Sequence, residues 1–259
     1  MQQYDLTGKV AVITGSTRGI GRAVATAMGK LGANVVITGR KQDACDKAVE
    51  EFAAMGITAL GVACEVTNAA DREKLVAATV ERFGHLDILV NNAGIGGKPT
   101  KLIDVDEQYF DNYVDADLKG LYFMSQLAAR QMKAQGREGA ENPYRIINLS
   151  SAAGIKSPIG DTVYGSCKAA VTHLTRIMAN ELARYGILCN AVAPGYVETD
   201  MTKGVIADEK NAAAVNKMIS VRRYAQPEEI ANVIAFLASP AAGYVTGVLI
   251  PVDGGMTIN

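Results

Sequence analysis

The chain has 259 residues but no tryptophan, two histidines and four cysteines. The histidines, His85 and His173, are too few for a histidine-based metal site, and they leave few candidates for a Ser-His-Asp triad. The cysteines form no C-x-x-C pair and lack metal-ligand spacing, so we predict reduced cytoplasmic thiols and no metal site. They are Cys45, Cys64, Cys167 and Cys189.

Excess charge and long apolar runs are also missing. The formal net charge of -1 argues against a nucleic-acid binder, which would normally be basic. No run of 18 apolar residues predicts a membrane span, and the N-terminal residues lack the basic and apolar regions of a signal peptide. We therefore expect a cytoplasmic protein without a membrane or nucleic-acid partner. At 49% hydrophobic residues, the chain can bury a large core.

Apolar stretches alternate with helical patterns along the whole chain, without repeats or a linker. This alternation predicts an α/β fold, a single Rossmann-type domain over 1–259 whose doubly wound parallel sheet of about seven strands has helices on both faces. Helices are predicted after residue 21 and at 41–55, 70–83, 106–135, 164–185 and 227–238, with an exposed loop at 136–143. The predicted strands are 10–14, 34–38, 59–63, 86–90, 144–149, 187–192 and 248–252.

A glycine-rich turn at 14–21 joins the first strand to the first helix. It reads Gly15-Ser-Thr-Arg-Gly19-Ile-Gly21, so free N–H groups and the positive helix end would face an anion such as a diphosphate. The spacing differs from the usual G-x-G-x-x-G, and glycines also form turns for structural reasons alone. The turn by itself leaves both interpretations open.

The end of the second predicted strand suggests which dinucleotide is bound. In such folds an acidic residue there binds a ribose 2′-hydroxyl, whereas an arginine accommodates a 2′-phosphate. This chain has Arg40 and Lys41 there, with no carboxylate before Asp43. Arg18 in the glycine turn is expected to converge on the same phosphate. We therefore predict NADP(H) in preference to NAD(H). The alternative is that Arg40 and Lys41 are only the solvent-exposed start of a helix.

The stretch 150–168 contains the candidate catalytic groups. Tyr164 and Lys168 are four residues apart, hence on one face of a helix, and a cation there would lower the tyrosine pKa from about 10. Such a tyrosine is a general acid/base near neutral pH, and Ser151 at the end of a strand can hydrogen-bond a substrate oxygen. Taken alone, the pair also fits two ordinary surface residues.

Five motifs together give the chain a clear family resemblance over nearly its whole length. They are T-G-S-T-R-G-I-G at 14–21, N-N-A-G at 91–94, the set Ser151, Tyr164 and Lys168, P-G-Y-V-E-T at 194–199 and V-D-G-G at 252–255. In this order and spacing they resemble the short-chain dehydrogenase/reductase family, in particular its 3-oxoacyl-carrier-protein reductases. The resemblance implies hydride transfer between a nicotinamide and a ketone or secondary alcohol.

The resemblance also implies roles for individual residues. Tyr164 would exchange a proton with the reacting oxygen, Ser151 would hold that oxygen, and Lys168 would bind the nicotinamide ribose. Thr199 would contact the carboxamide, and Asn91 would line the adenosine side with Gly94. The implied cofactor-binding residues are Gly15, Thr17, Arg18, Gly19, Ile20, Gly21, Arg40, Glu65, Val66, Asn92, Ala93, Gly94, Tyr164, Lys168, Pro194, Gly195, Val197 and Thr199.

Two positions depart from the family pattern. Asp117 stands where the family usually has an asparagine that kinks a helix, so that a backbone carbonyl holds a water of the proton relay. We predict that Asp117 is the fourth catalytic residue and that its charge affects Tyr164. Glu65 stands where an aspartate usually binds the adenine amino group, and its side chain is one methylene longer.

Substrate recognition is predicted for three segments, 95–98, 153–160 and a lid at 196–223. They are mostly small or apolar and name no substrate. Acyl-carrier reductases tend to have an arginine where this chain has Asn180, so we favour a general ketone reductase and keep the acyl-carrier reaction as the alternative. A non-catalytic cofactor-binding regulator is a further alternative. The stretch 243–255 resembles the family's subunit-packing segment and predicts a homotetramer.

Overall fold

The computed structural model describes residues 2–96, 99–136 and 143–259. They form a seven-stranded sheet in the order β3-β2-β1-β4-β5-β6-β7, and every neighbouring pair of strands is parallel. The strands are β1 (Val10–Ile13), β2 (Asn34–Gly39), β3 (Ala59–Ala63), β4 (Ile88–Asn91), β5 (Tyr144–Leu149), β6 (Ile187–Pro194) and β7 (Leu249–Val252). The predicted doubly wound sheet is confirmed, with strand ends within two residues of expectation.

Helices connect the strands. They are α1 (Gly19–Lys30), α2 (Gln42–Ala54), α3 (Ala69–Phe83), α4 (Glu107–Tyr113), α5 (Gly120–Ala134), α6 (Thr162–Leu182), α7 (Lys203–Ile206), α8 (Glu209–Met218) and α9 (Pro227–Ala238). The predicted exposed loop at 136–143 lies mostly outside the described residues. Within the described ranges, no helix is both long and apolar enough to cross a membrane.

Alternate residues of the central strands face two separate cores. Ala11 and Ile13 pack with α1 and α9 on one face of the sheet, whereas Val10 and Val12 pack with α3 and α5 on the other. Strand β1 is fully buried, because a parallel sheet covered by helices on both faces has no solvent side.

The single helix predicted over 106–135 is wrong in one respect. A π-helical segment, Val114–Lys119, separates α4 from α5. Gly120 begins α5 where an added Cβ would lie 2.9 Å from the carbonyl oxygen of Val66. Hydrophobic periodicity does not reveal one wide turn inside a helix, and such turns often mark functional sites.

The order of the strands brings the predicted site together. The chain moves from β1 out to β3 and then returns to β4, so the strand order reverses beside β1. Ligands of open α/β sheets bind at this switch point, outside the carboxyl ends of the strands. Gly15, Asn91, Ser150 and Pro194 all lie at this edge.

Candidate active site

Two serines follow β5 and take different roles. The hydroxyl of Ser150 donates to the carbonyl oxygen of Lys168 at 2.9 Å and lies 2.9 Å from the hydroxyl of Thr172, so it fastens α6 to the end of the strand. Ser151 accepts a hydrogen bond from the amide of Ala153 at 3.1 Å. Since a hydroxyl carries one donor and two acceptor sites, Ser151 can still donate a hydrogen bond toward a substrate oxygen.

Close packing fixes α6 against the turn that follows Ser151. An added Cβ at Gly154 would lie 2.8 Å from the backbone of Lys168, and one at Gly165 would lie 2.8 Å from the carbonyl oxygen of Ala153. The two glycines therefore allow backbone to approach backbone. This contact fixes α6, which carries Tyr164, against the turn that follows Ser151.

Tyr164 and Lys168 lie one turn apart on α6, as predicted. The ammonium of Lys168 is 5.5 Å from the centroid of the Tyr164 ring and donates to the carbonyl oxygen of Leu149 at 3.2 Å. Lys168 is 5% exposed, while Tyr164 is half-buried. The structure thus places a buried cation beside an accessible phenol.

Tyr113 is a neighbour of the site that the sequence did not indicate. It is 4% exposed, and its ring meets that of Tyr164 edge-on with centroids 6.2 Å apart. Burial raises the pKa of Tyr113 above its ordinary value, with Tyr109 adding to the effect. Tyr113 therefore remains neutral and supports the Tyr164 ring by packing. Its position one turn before Asp117 was the available signal.

Asp117 lies in the π-helical segment and reaches Lys168. Its side chain is fully buried, with Oδ1 2.9 Å from the Lys168 ammonium and Oδ2 accepting from the amide of Ile95 at 3.1 Å. Burial alone lowers the pKa of Lys168, but the Asp117 carboxylate, with Tyr164, more than offsets this and raises it above the ordinary lysine value. The lysine is therefore held charged.

The glycine turn is built to bring backbone close to a ligand. Gly15 and Gly19 have φ of +65° and +57°, and an added Cβ at Gly21 would lie 2.5 Å from the Asn92 amide nitrogen and 2.5 Å from the carbonyl oxygen of Gly15. Ser16 ties the turn to β2, since its amide donates to the carbonyl oxygen of Thr38 at 2.7 Å. The amides at the start of α1 are thereby presented to an anion.

The paired asparagines of the N-N-A-G motif point in different directions. Asn91 is buried and its amide donates to Ser125 and Asn148, both at 2.8 Å. Its side chain therefore belongs to the core, so only the backbone of Asn91 at the end of β4 is left to line the adenosine side as expected. Asn92 instead donates to the carbonyl oxygens of Thr14 and Gly15, at 2.8 and 2.9 Å, and thereby holds the glycine turn.

The two arginines predicted at the adenosine ribose do not converge. Arg40 lies 4.0 Å from Glu65, with side chains 76% and 41% exposed. Arg18 pairs instead with Asp200 of the lid at 3.3 Å, also in solvent. Exposed pairs of this kind are weak, so both guanidiniums are able to turn toward a phosphate.

The predicted lid at 196–223 is more ordered than the sequence suggested. It contains α7 and α8, and Ala152, Val215, Ile219, Tyr224 and Met256 form a small apolar core beneath it. Thr199 lies over the glycine turn, 3.5 Å from where a Cβ on Gly19 would be, and Met201 covers Gly96. The other predicted substrate segments are 95–98, of which residues 97 and 98 lie outside the described ranges, and 153–160.

Comparison with known proteins gives concordant results. The family model described as enoyl-(acyl carrier protein) reductase matches residues 15–257. The 3-oxoacyl-[acyl-carrier-protein] reductase of Synechocystis is 39% identical over 98% of both chains. The L-rhamnose 1-dehydrogenase (NAD(P)(+)) of Azotobacter vinelandii is 40% identical, also over 98% of both.

A solved 7α-hydroxysteroid dehydrogenase, complexed with NADH and 7-oxo glycochenodeoxycholic acid, superimposes with a TM-score of 0.91 at 35% identity, covering 98% of this chain and 96% of that one. The chain belongs to the short-chain dehydrogenase/reductase family. As a short-chain dehydrogenase/reductase it is an oxidoreductase that acts on carbonyl or alcohol groups, and the family implies a nicotinamide cofactor.

The residues present fit such a cofactor. Gly15 and Gly19 have positive φ and Gly21 has no room for a Cβ against Asn92 and Gly15, so only glycines allow this tight turn, and the free backbone amides it leaves at the start of α1 suit a diphosphate. In the described ranges, no three His, Cys, Asp or Glu side chains come together as they would in a metal site.

Proposed function

We propose that this short-chain dehydrogenase/reductase uses NADP(H) to interconvert a ketone and a secondary alcohol, with Tyr164 as general acid/base. The observation that carries the proposal is the juxtaposition of Ser151, Tyr164 and buried Lys168 beside the glycine turn, at one sheet edge. When bound, the nicotinamide supplies the hydride or receives it.

The protein's own part is to hold and protonate the substrate oxygen. In the reductive direction, the Ser151 hydroxyl donates to the carbonyl oxygen and orients it. The Tyr164 hydroxyl transfers its proton to the alkoxide oxygen as the carbon is reduced. The Lys168 ammonium stabilises the phenolate that remains and offers a donor to the nicotinamide ribose.

Four residues carry the remaining cofactor assignments. Thr199 lies over the glycine turn and is proposed to contact the carboxamide of the nicotinamide. Arg40 at the end of β2, with Arg18 across the turn, supports the choice of NADP(H) because both cations are exposed and weakly paired. Glu65 beside Arg40 is proposed to face the adenine.

The other residues assigned to the cofactor-binding surface belong to the strand ends and turns at the same edge. Those proposed to line it through backbone or small side chains are Gly15, Thr17, Gly19, Ile20, Gly21, Val66, Asn92, Ala93, Gly94, Pro194, Gly195 and Val197.

The experiment is a spectrophotometric screen that follows reduced-nicotinamide consumption over ketones, keto sugar acids and 3-oxoacyl thioesters, with NADPH and NADH in parallel. The proposal expects turnover of at least one simple ketone, with NADPH preferred. Tight NADPH binding without turnover across the panel would contradict it and favour a non-catalytic regulator.

Reduction of a 3-oxoacyl group on a carrier protein is the second candidate. Similarity to reductases of that name at about 40% identity favours it. An acidic carrier would contact the exposed cations Arg130, Lys133 and Arg176, although Asn180 removes one expected contact. Reduction of a carrier-bound thioester at least tenfold faster than of the matching small thioester would establish this function.

We also propose a homotetramer in the cytoplasm. The support is the stretch 243–255, where β7 is only partly covered and Tyr244 is fully exposed, unlike the buried strands of the sheet centre. Light scattering of the purified protein decides the assembly, and a monomer would contradict the proposal.

A further inference from the structure

Asp117 and Lys168 form an ion pair in the interior of the site. The Oδ1 to Nζ distance is 2.9 Å, and the side chains are 0% and 6% exposed. At this distance the two charged atoms are in direct contact. It is a charge–charge contact in a region of low dielectric, where screening by solvent is weak.

The two carboxylate oxygens of Asp117 contact different partners. Oδ2 accepts from the amide of Ile95 and so holds the segment that follows the N-N-A-G motif, while Oδ1 faces the ammonium. An asparagine offers only one oxygen. If the oxygen of an asparagine faced the amide of Ile95, its NH2 group would face the ammonium of Lys168, and the reverse orientation would bring NH2 against the Ile95 amide. In both cases two hydrogen-bond donors would face each other. The carboxylate and the amide are therefore not interchangeable here.

Lys168 has three donors, and the described residues engage two directions. One leads to the carbonyl oxygen of Leu149 and one to Asp117. Gly94 is kept small at the same point, since an added Cβ would collide with Asp117 Oδ1. These two contacts hold the ammonium in position.

We propose that Asp117 is a positioning residue that holds Lys168 and sets the pH range in which Tyr164 works. It acts through Lys168 and partly offsets the positive charge that Tyr164 experiences. Forming a phenolate near a carboxylate is less favourable than near an amide. The activity of the natural protein in alcohol oxidation therefore rises at higher pH than it would with asparagine. This inference rests on the proposed function.

Other ionisable groups around Tyr164 are compatible with this assignment. Cys167 on α6 is buried, and burial, with the Asp117 charge, raises its pKa to about 11. Burial also keeps Tyr113 neutral. Asp161 precedes α6 and its pKa is raised by burial, and it acts electrostatically on Tyr196 beyond β6. Asp117 is the one carboxylate of this group in contact with Lys168.

The first test compares Asp117→Asn with Asp115→Asn. Both remove one carboxylate from the same π-helical segment, but Asp115 is 45% exposed and pairs with Lys119. The kcat/KM profile for alcohol oxidation is measured from pH 6 to 10. We expect Asp117→Asn to move its midpoint down by about one pH unit, and Asp115→Asn to leave it in place.

Two outcomes would overturn the inference. An unchanged midpoint in folded Asp117→Asn would show that the carboxylate has a structural role only. Complete loss of turnover in folded Asp117→Asn would show that the carboxylate is required for the chemistry itself, not for its pH range.

The second test needs no turnover. Lys168→Met alone leaves Asp117 buried without a counter-charge, so we expect its Tm to fall by roughly 5–10 °C. Adding Asp117→Asn to Lys168→Met is expected to restore part of the loss. If the double variant were no more stable than Lys168→Met, the proposed charge interaction between Asp117 and Lys168 would be disproved. If the natural protein shows no turnover at all, the proposed function fails, while this cycle still tests the contact.

Discussion

The Lys168–Asp117 pair at one end of the sheet edge and the Arg40–Glu65 pair at the other differ in burial. The first has an N–O distance of 2.9 Å and is almost fully buried, while the second has 4.0 Å and lies in solvent. Breaking a buried pair costs about 3–5 kcal/mol, whereas exposed pairs contribute about 0–1 kcal/mol. The proposed catalytic end thus holds its charges in fixed positions, and the proposed ribose end leaves its charges able to move to a ligand.

The largest expected effect is at the catalytic end. Tyr164→Phe removes the proton donor while keeping the ring, so we expect kcat to fall by about 10²- to 10⁴-fold with NADPH affinity nearly unchanged. Steady-state kinetics and fluorescence titration of NADPH measure the two quantities. Tyr4→Phe, at an exposed tyrosine outside the proposed sites, is the matched control. A kcat within threefold of wild type would remove Tyr164 from the mechanism.

Gly21→Ala tests the rigid turn between the two ends. The new Cβ would meet Asn92 and Gly15, so we expect the free energy of unfolding to fall by about 1–3 kcal/mol. We also expect NADPH affinity to fall at least tenfold. Gly204→Ala, where a Cβ meets nothing within 4 Å, is the control. If the two variants had equal thermal stability and equal NADPH affinity, the close packing at Gly21 would have no role in cofactor binding.

Arg40→Gln tests the exposed end. The variant keeps a polar side chain but loses the charge for a 2′-phosphate, so we expect kcat/KM with NADPH to fall by about 10- to 100-fold and with NADH to stay within twofold. Arg82→Gln, at an exposed arginine of α3, is the control. Equal losses with both cofactors would show that Arg40 does not select between them.

The smallest expected effect concerns a second exposed pair. Arg223 donates to both oxygens of Glu229, at 2.6 and 2.7 Å, and this bond, with the Gln226 amide, lowers the pKa of Glu229 to about 2. A carboxylate whose pKa is lowered by folding stabilises the folded state at pH values above its unfolded-state pKa of about 4.3. This stabilisation is lost as the pH falls toward 2. We expect Glu229→Gln to lower Tm slightly at pH 7 and hardly at all at pH 2. An equal shift at both values would contradict the linkage.

The proposed pH tuning by Asp117 sharpens the same comparison. A buried carboxylate is expected to shift the activity profile, whereas the exposed Asp115 two residues earlier is not. Burial would then be the reason that one of two neighbouring aspartates affects the chemistry.

Local patterns in the sequence predicted much of the molecule. Apolar runs located the strands because buried parallel strands are apolar throughout, and the glycine turn was visible because it follows β1 directly. The spacing of Tyr164 and Lys168 was sufficient to put both on one face of a helix. Hydrophobic periodicity did not predict the π-helical segment, since one wide turn leaves the apolar pattern almost unchanged.

The sequence by itself determined the order of strands and helices, the family, and the residue types at the candidate site, because these depend on local spacing. The tertiary structure decided which charges meet. In the folded chain Asp117 pairs with Lys168, and the side chain of Asn91 is buried in the core. Arg18 pairs with Asp200 and not at the site of Arg40. Such contacts join segments far apart in the chain, and their strength depends on burial, which only the assembled fold establishes.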